Sequence, residues 1–536
     1  MRIVVLHYDL LPGRVTDAII GSIRALAESP EPTVKPDAVT LVCGRAQNAD
    51  AVVGALRRYV ADLRLEIWPE VEATDPAEPD DDASRRAERI VERLRAEVDP
   101  DGDLLWVHNH HIGTNPSLTR AVCTLAAGGR VRMVLHIHDF PEAGRYADLT
   151  YVERVAGRSP YPAGANVGYV AINDRDAALM GAAGIPAGSV HCIPNPVRAE
   201  RVDADRPNRD RLIAGLAAFA RERGHRFGPD GPLVLYPTRA IRRRNVLELA
   251  TICRLAGNAN LIVTLPGTSV HDRDYSAMID YAYAQTAVHG VFGIGCNEHR
   301  FGLTVDDITR GADAIASSSV QEGFATLFMD SLAWRVPLFA RRLDVTGALD
   351  PLFSGYPARF YDSFLVPTST PSVSSMRGYL QMRYAERLSD LAGRAPAVAD
   401  RLSRELRAIA GEPTIDMALL PAQLQLAVLC DLRDQRFAED VRALNATTID
   451  ALTAIVGSST PDMTQRIDAA VGPDAFASAF ASACETLGGS PVDDRAASEH
   501  RIRGGRYDTV SDALVDAFAT VDTLRLLLGP LDHDPH

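Results

Sequence analysis

Five residues carry the chemistry most directly: Arg239 and Arg244, five apart in YPTRAIRRRNV, and Glu322, Gly323 and Asp330 in VQEGFATLFMDSLAW. Two arginines on one loop can clamp a diphosphate through charge-assisted, forked hydrogen bonds. The second stretch reads as a buried strand, a tight turn at Glu322-Gly323-Phe324 and a helix carrying Asp330. Free amides at such a helix start attract phosphate or sugar oxygens, and the flanking carboxylates accept hydroxyl hydrogen bonds. Together the two stretches predict a pocket for a nucleotide sugar.

The elements that must position them follow from alternating short apolar runs and helical patterns through residues 1–365. Expected strands in the first half are Ile3–His7, Val39–Cys43, Leu104–His108, Val131–Ile137, Tyr169–Ile172 and Val190–Ile193. The second half repeats the rhythm at Leu233–Tyr236, Leu261–Leu265, Val291–Ile294, Ala314–Ala316 and Pro337–Ala340. β-Branched runs alternating with helices indicate parallel sheets covered on both faces, an α/β class. Ligands of such sheets bind beyond the carboxyl ends of the strands, where Arg239 and Arg244 fall.

The 536 residues exceed one core. The expected division is 1–200, a linker at 201–230, a second α/β domain at 231–370, a helical return at 371–415 and a helical extension at 416–536. Asp75–Asp82 reads as an acidic solvated loop. The extension offers a surface for self-association.

A formal charge of −14 argues against a general nucleic-acid binder. Lys35 is the only lysine among the 56 basic residues, so arginine at a customary lysine position reflects composition. Seven scattered cysteines without a CxxC pair fit reduced thiols, and no apolar run reaches membrane-spanning length, so a cytoplasmic protein is expected. No GxGxxG or GxxxxGK[ST] follows the first strand, which leaves nicotinamide, flavin and P-loop chemistry unsupported.

The first half supplies histidines in Val107-His-Asn-His-His111 and Leu135-His-Ile-His-Asp139. Alternation puts His136 and His138 on one face, and with His108, His110 and His111 they raise a metal set. Ligating carboxylates at telling spacing are missing, and polar lining is the stronger reading, so no metal or other cofactor is expected. Leu11-Pro-Gly-Arg-Val15 opens a helix after the first strand. Gly13 there allows close backbone approach or simply turns the chain, and Arg14 can meet phosphate or an anionic acceptor. Asn173 and Asn195 read as capping and turn residues.

YPTRAIRRRNV followed by GADAIASSSVQEGFATLFMDSLAWRVPL resembles the donor half of a retaining GT-B glycosyltransferase of family 4, and IPNPV resembles that family's IPN segment. The resemblance covers about residues 1–365. It implies two Rossmann-like domains facing a cleft, and sugar transfer from a UDP-, GDP- or ADP-sugar to a hydroxyl acceptor. No basic, apolar membrane patch stands out, so a soluble metabolite or saccharide is the expected acceptor. It places Glu322 at the sugar hydroxyls, Gly323, Phe324 and Ala325 beside sugar and phosphate, Asp330 on the ribose, and Arg239 with Arg244 on the diphosphate. It also places His138 beside the donor sugar and Asp139 on the acceptor side, where the loop to Arg145 shapes acceptor binding. Asp139 as a loop-stabilising aspartate is an equal reading. This chain has Arg244 for the family's lysine and Asp330 for its second glutamate. A sugar phosphorylase or nucleotide-sugar epimerase, or a non-catalytic nucleotide-sugar binder, are the alternatives.

Overall fold

The computed structural model describes residues 1–198, 207–267, 270–324, 326–373, 376–487 and 507–527. The chain divides into two compact units, one of residues 1–199 and 466–519, the other of 200–465 and 520–536.

The first unit holds a seven-stranded sheet: β1 (Arg2–Leu6), β2 (Ala38–Cys43), β3 (Asp62–Ile67), β4 (Asp103–His108), β5 (Met133–Ile137), β6 (Val167–Ala171) and β7 (Val190–Cys192). Its order is β3-β2-β1-β4-β5-β6-β7, and every pairing is parallel. β4, β5 and β6 are buried along their whole length, as expected for strands covered on both faces. β3, DLRLEI, went unread because as an edge strand it alternates charge with apolar residues and is only half buried.

The second unit has six parallel strands: β8 (Leu233–Arg239), β9 (Asn260–Leu265), β10 (His289–Phe292), β11 (Ala314–Ser317), β12 (Leu338–Arg341) and β13 (Ala358–Tyr361). Their order is β10-β9-β8-β11-β12-β13. A short antiparallel pair joins β14 (Leu365–Pro367) to β15 (Thr414–Asp416), neither of them among the expected strands. Both sheets are Rossmann-like, the class the resemblance implies. In each the order reverses beside the first strand, between β1 and β4 and between β8 and β11, which is where such sheets open a crevice for ligands.

Three expectations are corrected. Asp80, Asp81 and Asp82 are not in a loop but form the first turn of the helix Asp80–Glu97, where carboxylates meet the positive end of the helix dipole. Residues 201–206 of the expected linker lie outside the described residues, and Arg209–Arg223 is a helix of the second unit. The expected extension at 416–536 is not one appendage. Its helix Ala422–Asp431 belongs to the second unit, whereas Pro473–Glu485 belongs to the first and buries Phe476 and Phe480. Phe480 meets the Trp106 ring of β4 at 4.6 Å. Residues 488–506 and 528–536 lie outside the described residues.

Candidate functional site

In the second unit the two predicted stretches meet. β8 delivers Arg239, exposed at its last position, and the chain then turns through Arg242–Arg244 to the helix Val246–Leu255. The next strand in the sheet, β11, ends at Ser317, and Ser318 and Ser319 follow it before Glu322. These serines fasten the two loops together. Ser318 Oγ donates to the carbonyls of Arg244 (3.1 Å) or Asn245 (2.9 Å), Ser319 Oγ reaches the Arg243 carbonyl at 3.2 Å, and the Val320 amide donates to that carbonyl at 2.9 Å. Tyr236 Oη donates to the Arg244 carbonyl at 3.0 Å.

Arg244 and Glu322, both buried, form a direct ion pair across this seam. A buried ion pair is tolerated only where both partners remain, so either side chain holds the other in place. Arg242 plays a different part. It is buried, donates to the Leu420 carbonyl at 2.8 Å and to Asn245 Oδ1 at 3.1 Å, and burial lowers its pKa. Asn245 adopts φ 52°, a left-handed conformation that asparagine tolerates, and its Oδ1 also accepts from Gln425 at 2.8 Å. The sequence showed three adjacent arginines and no signal separating the anchoring one from the others.

Gly323 is half-buried and Phe324 buried just before the helix Thr326–Ala333, on which Asp330 is half-buried. Ala325 lies outside the described residues.

In the first unit, adjacent strands β1, β4 and β5 end in histidine on one face. His7 follows Ile3 and Val5, His108 follows Leu104 and Trp106, and His136 and His138 follow Val134. The rings stack as a column. His136 and His138 lie 4.2 Å apart with planes 12° apart, His108 and His138 lie 5.2 Å apart at 15°, and His136 stacks on Trp106 at 5.8 Å and 12°. His108 Nδ1 and His138 Nε2 are hydrogen-bonded at 2.9 Å.

The ring nitrogens of His108, His136 and His138 gather within 4.8 Å, all buried. Two of these nitrogens, His108 Nδ1 and His138 Nε2, are already engaged with each other in a hydrogen bond, and no carboxylate joins the set among the described residues. His110 and His111 do not join the column. His110 Nε2 lies 2.8 Å from the Pro160 carbonyl, and His111 packs against Tyr161 and Phe140.

Burial drives these imidazoles towards neutrality. His136 is pushed down to about 3 and His110 to about 4, while burial with neighbouring imidazoles holds His108 and His138 well below the ordinary range. Asn109, at φ 50°, bridges the ends of β4 and β5, accepting from the His138 amide at 2.8 Å through Oδ1 and donating its own amide to the His136 carbonyl at 2.9 Å.

Asp139 is exposed, accepts from the Phe140 amide at 3.0 Å and lies 3.4 Å from Arg145, so its loop-stabilising role is present. Within this loop the buried Glu142 accepts from Tyr161 Oη (3.0 Å) and Ser511 Oγ (2.9 Å), and Phe140 packs on Phe518 at 5.0 Å. The late helix Val510–Phe518 therefore buttresses the predicted acceptor loop, a contact without local signal in the sequence. Arg14 is exposed at the start of the helix Arg14–Glu28. Gly13 before it is exposed and extended (φ 175°), a conformation any residue adopts, and an added Cβ would come no closer than 3.9 Å to the Leu11 carbonyl oxygen. The space beside Gly13 is open and its backbone does not itself require glycine. Asn173 caps the helix Asp174–Ala182, accepting from the Asp176 amide at 2.7 Å.

No protein-family model matches the chain. The chain is 26% identical over 433 residues to the mannosylglucosyl-3-phosphoglycerate synthase of Petrotoga mobilis, spanning 80% of this chain and 81% of that protein. The glycosyltransferase resemblance read from the motifs is borne out by this relative, and the likeness extends past residue 365 into the helical part. Among solved structures, the chain is similar to Anabaena HepE in complex with UDP-glucose (12% identity, 85% of this chain and 100% of that one, TM-score 0.45). It is also similar to sucrose-phosphate synthase of Thermosynechococcus elongatus (13% identity, 84% and 100%, TM-score 0.42). Among the described residues no helix is long and apolar enough to cross a membrane.

Proposed function

We propose that this chain is a retaining, metal-independent glycosyltransferase that moves a sugar from a nucleoside-diphosphate sugar to a hydroxyl of a soluble, anionic acceptor. The observation that carries the reading is the Arg244–Glu322 pair at the β8/β11 reversal, with Arg239 exposed on the adjoining strand end. This combination offers cations for a diphosphate and a carboxylate for sugar hydroxyls in one place.

In the proposed reaction the bond from the anomeric carbon to the diphosphate oxygen breaks, and the acceptor oxygen bonds to that carbon on the same face. The acceptor proton passes to the departing diphosphate, whose charge Arg239 and Arg244 receive. Glu322 holds sugar hydroxyls, with the amides of Gly323 and Phe324 beside sugar and phosphate and Asp330 at the ribose. Catalysis then rests on orientation and on stabilising the leaving group. His138, kept neutral by burial, contacts the sugar without adding positive charge beside a ring on which positive charge develops.

The Petrotoga relative is named for a product containing 3-phosphoglycerate, a phosphorylated carboxylic acid. On that basis we infer an acceptor of the same charge class, met by Arg14 and Arg145. The test is an assay of UDP-, GDP- and ADP-sugars against 3-phosphoglycerate, its glucosylated form and uncharged glucosides. Transfer to the anionic acceptors supports the proposal, and selective transfer to the uncharged ones overturns the acceptor assignment.

A further inference from the structure

His108 is buried and has no part in the reaction as written above. Its Nδ1 is hydrogen-bonded to His138 Nε2 at 2.9 Å, while its own Nε2 is buried without a hydrogen-bond partner. One proton lies in the shared bond, and two neutral arrangements are available. If His138 donated, His108 would carry its own proton on Nε2, a buried donor with no acceptor. If His108 donates from Nδ1, its Nε2 is only a bare lone pair beneath Trp106 and His136, and the orphaned group is an acceptor. Orphaned buried N–H groups are rarer in folded proteins than under-satisfied acceptors.

We propose that His108 is a positioning residue: it donates Nδ1–H to His138 Nε2 and thereby fixes His138 as the tautomer protonated on Nδ1. His138 then offers a hydrogen-bond donor from the nitrogen not engaged inside the column, suited to a sugar oxygen. The column resists rearrangement. His136 and His108 stack on His138 from neighbouring positions, His7 stands edge-on to His108 at 6.5 Å, and Asn109 pins the His138 amide. The titratable groups facing the pair are His7 from the β1 end and His136 from β5, both with lowered pKa, so the pair sits among neutral rings. The part of this inference that concerns catalysis rests on His138 contacting the donor sugar.

The experiment is long-range 1H–15N spectroscopy of the full chain labelled with 15N-histidine, with His138 assigned by its loss in His138→Gln. The expected spectrum shows His138 Nδ1 at the protonated-nitrogen shift and Nε2 at the unprotonated one. In His108→Leu that pattern shifts toward Nε2 protonation, and turnover falls about ten-fold, the loss expected for one buried hydrogen bond. His108→Asn, whose side-chain amide reaches the Nδ1 position, restores both. An Nε2-protonated His138 in the unmodified chain, or a His138 pattern unchanged in His108→Leu, overturns the proposal. Full transfer by His138→Ala would instead remove the catalytic reading of His138 and leave the spectroscopic assignment standing.

Discussion

The two units carry their candidate chemistry at the same topological place and build it from opposite materials. At the β8/β11 reversal the groups are charged and paired, Arg244 with Glu322, and at the β1/β4 side of the other sheet they are neutral, stacked imidazoles. A charged seam suits a ligand that brings its own formal charge, because a departing diphosphate needs fixed cations. A neutral, ring-lined end suits sugar carbon and oxygen atoms, where an added cation would oppose developing positive charge. On the proposed reading, the charged seam receives the leaving group and the sugar hydroxyls, while the neutral rings line the sugar.

The largest test of that contrast lies in the charged seam. Arg244→Met or Glu322→Ala is expected to lower transfer by about 10² to 10³, the scale of losing a preorganised charge at a reacting centre. Each is also expected to lower stability by about 3–5 kcal/mol, because the remaining partner is left buried and unpaired. Steady-state kinetics with chemical denaturation checks both, and a variant that keeps wild-type turnover breaks the comparison on its charged side.

The neutral end depends on its covering helix. Phe480→Ala, which removes the ring 4.6 Å from Trp106, is expected to destabilise the first unit by about 3–5 kcal/mol, a core cavity cost. A change below 0.5 kcal/mol would mean that the helix Pro473–Glu485 is only an appendage. The third test uses acid. A histidine whose folded pKa is depressed contributes stability fully above its unfolded value near 6.5, and loses it as pH falls toward the folded value. For His110, lowered from 6.5 to about 4, that loss reaches about 3 kcal/mol by pH 4. His136 adds to it over the same window. Melting followed from pH 7 to 4 should show the first unit failing early, and a pH-independent melting temperature would contradict buried neutral imidazoles. The smallest effect is expected at Gly13→Ser, within about 0.5 kcal/mol of wild type by thermal melting, since its extended backbone is open to any residue and serine caps helices well.

What the sequence made legible follows from these differences. The parallel strands, Arg239, Arg244 and Glu322 were readable because buried β-branched runs and charged loop residues are local signals. The shared face of His136 and His138 followed from strand alternation alone. The column itself did not, because joining His7, His108 and His138 requires knowing that β1, β4 and β5 are neighbours in the sheet. Nor did the contacts of Phe480 with Trp106 and of Ser511 with Glu142, which link residues hundreds of positions apart. β3 and β13 were missed for a physical reason, since half-buried strands at a sheet edge need not be apolar throughout.

The most direct measurement of the central claim is product analysis by NMR, with α-linked UDP-, GDP- and ADP-sugars and an anionic acceptor, for the unmodified chain and for Arg239→Ala. Arg239 is exposed, so its removal leaves the fold in place. The account predicts an α-linked product from one of these donors and loss of that product in the variant. A β-linked product, or equal turnover by Arg239→Ala, would contradict it.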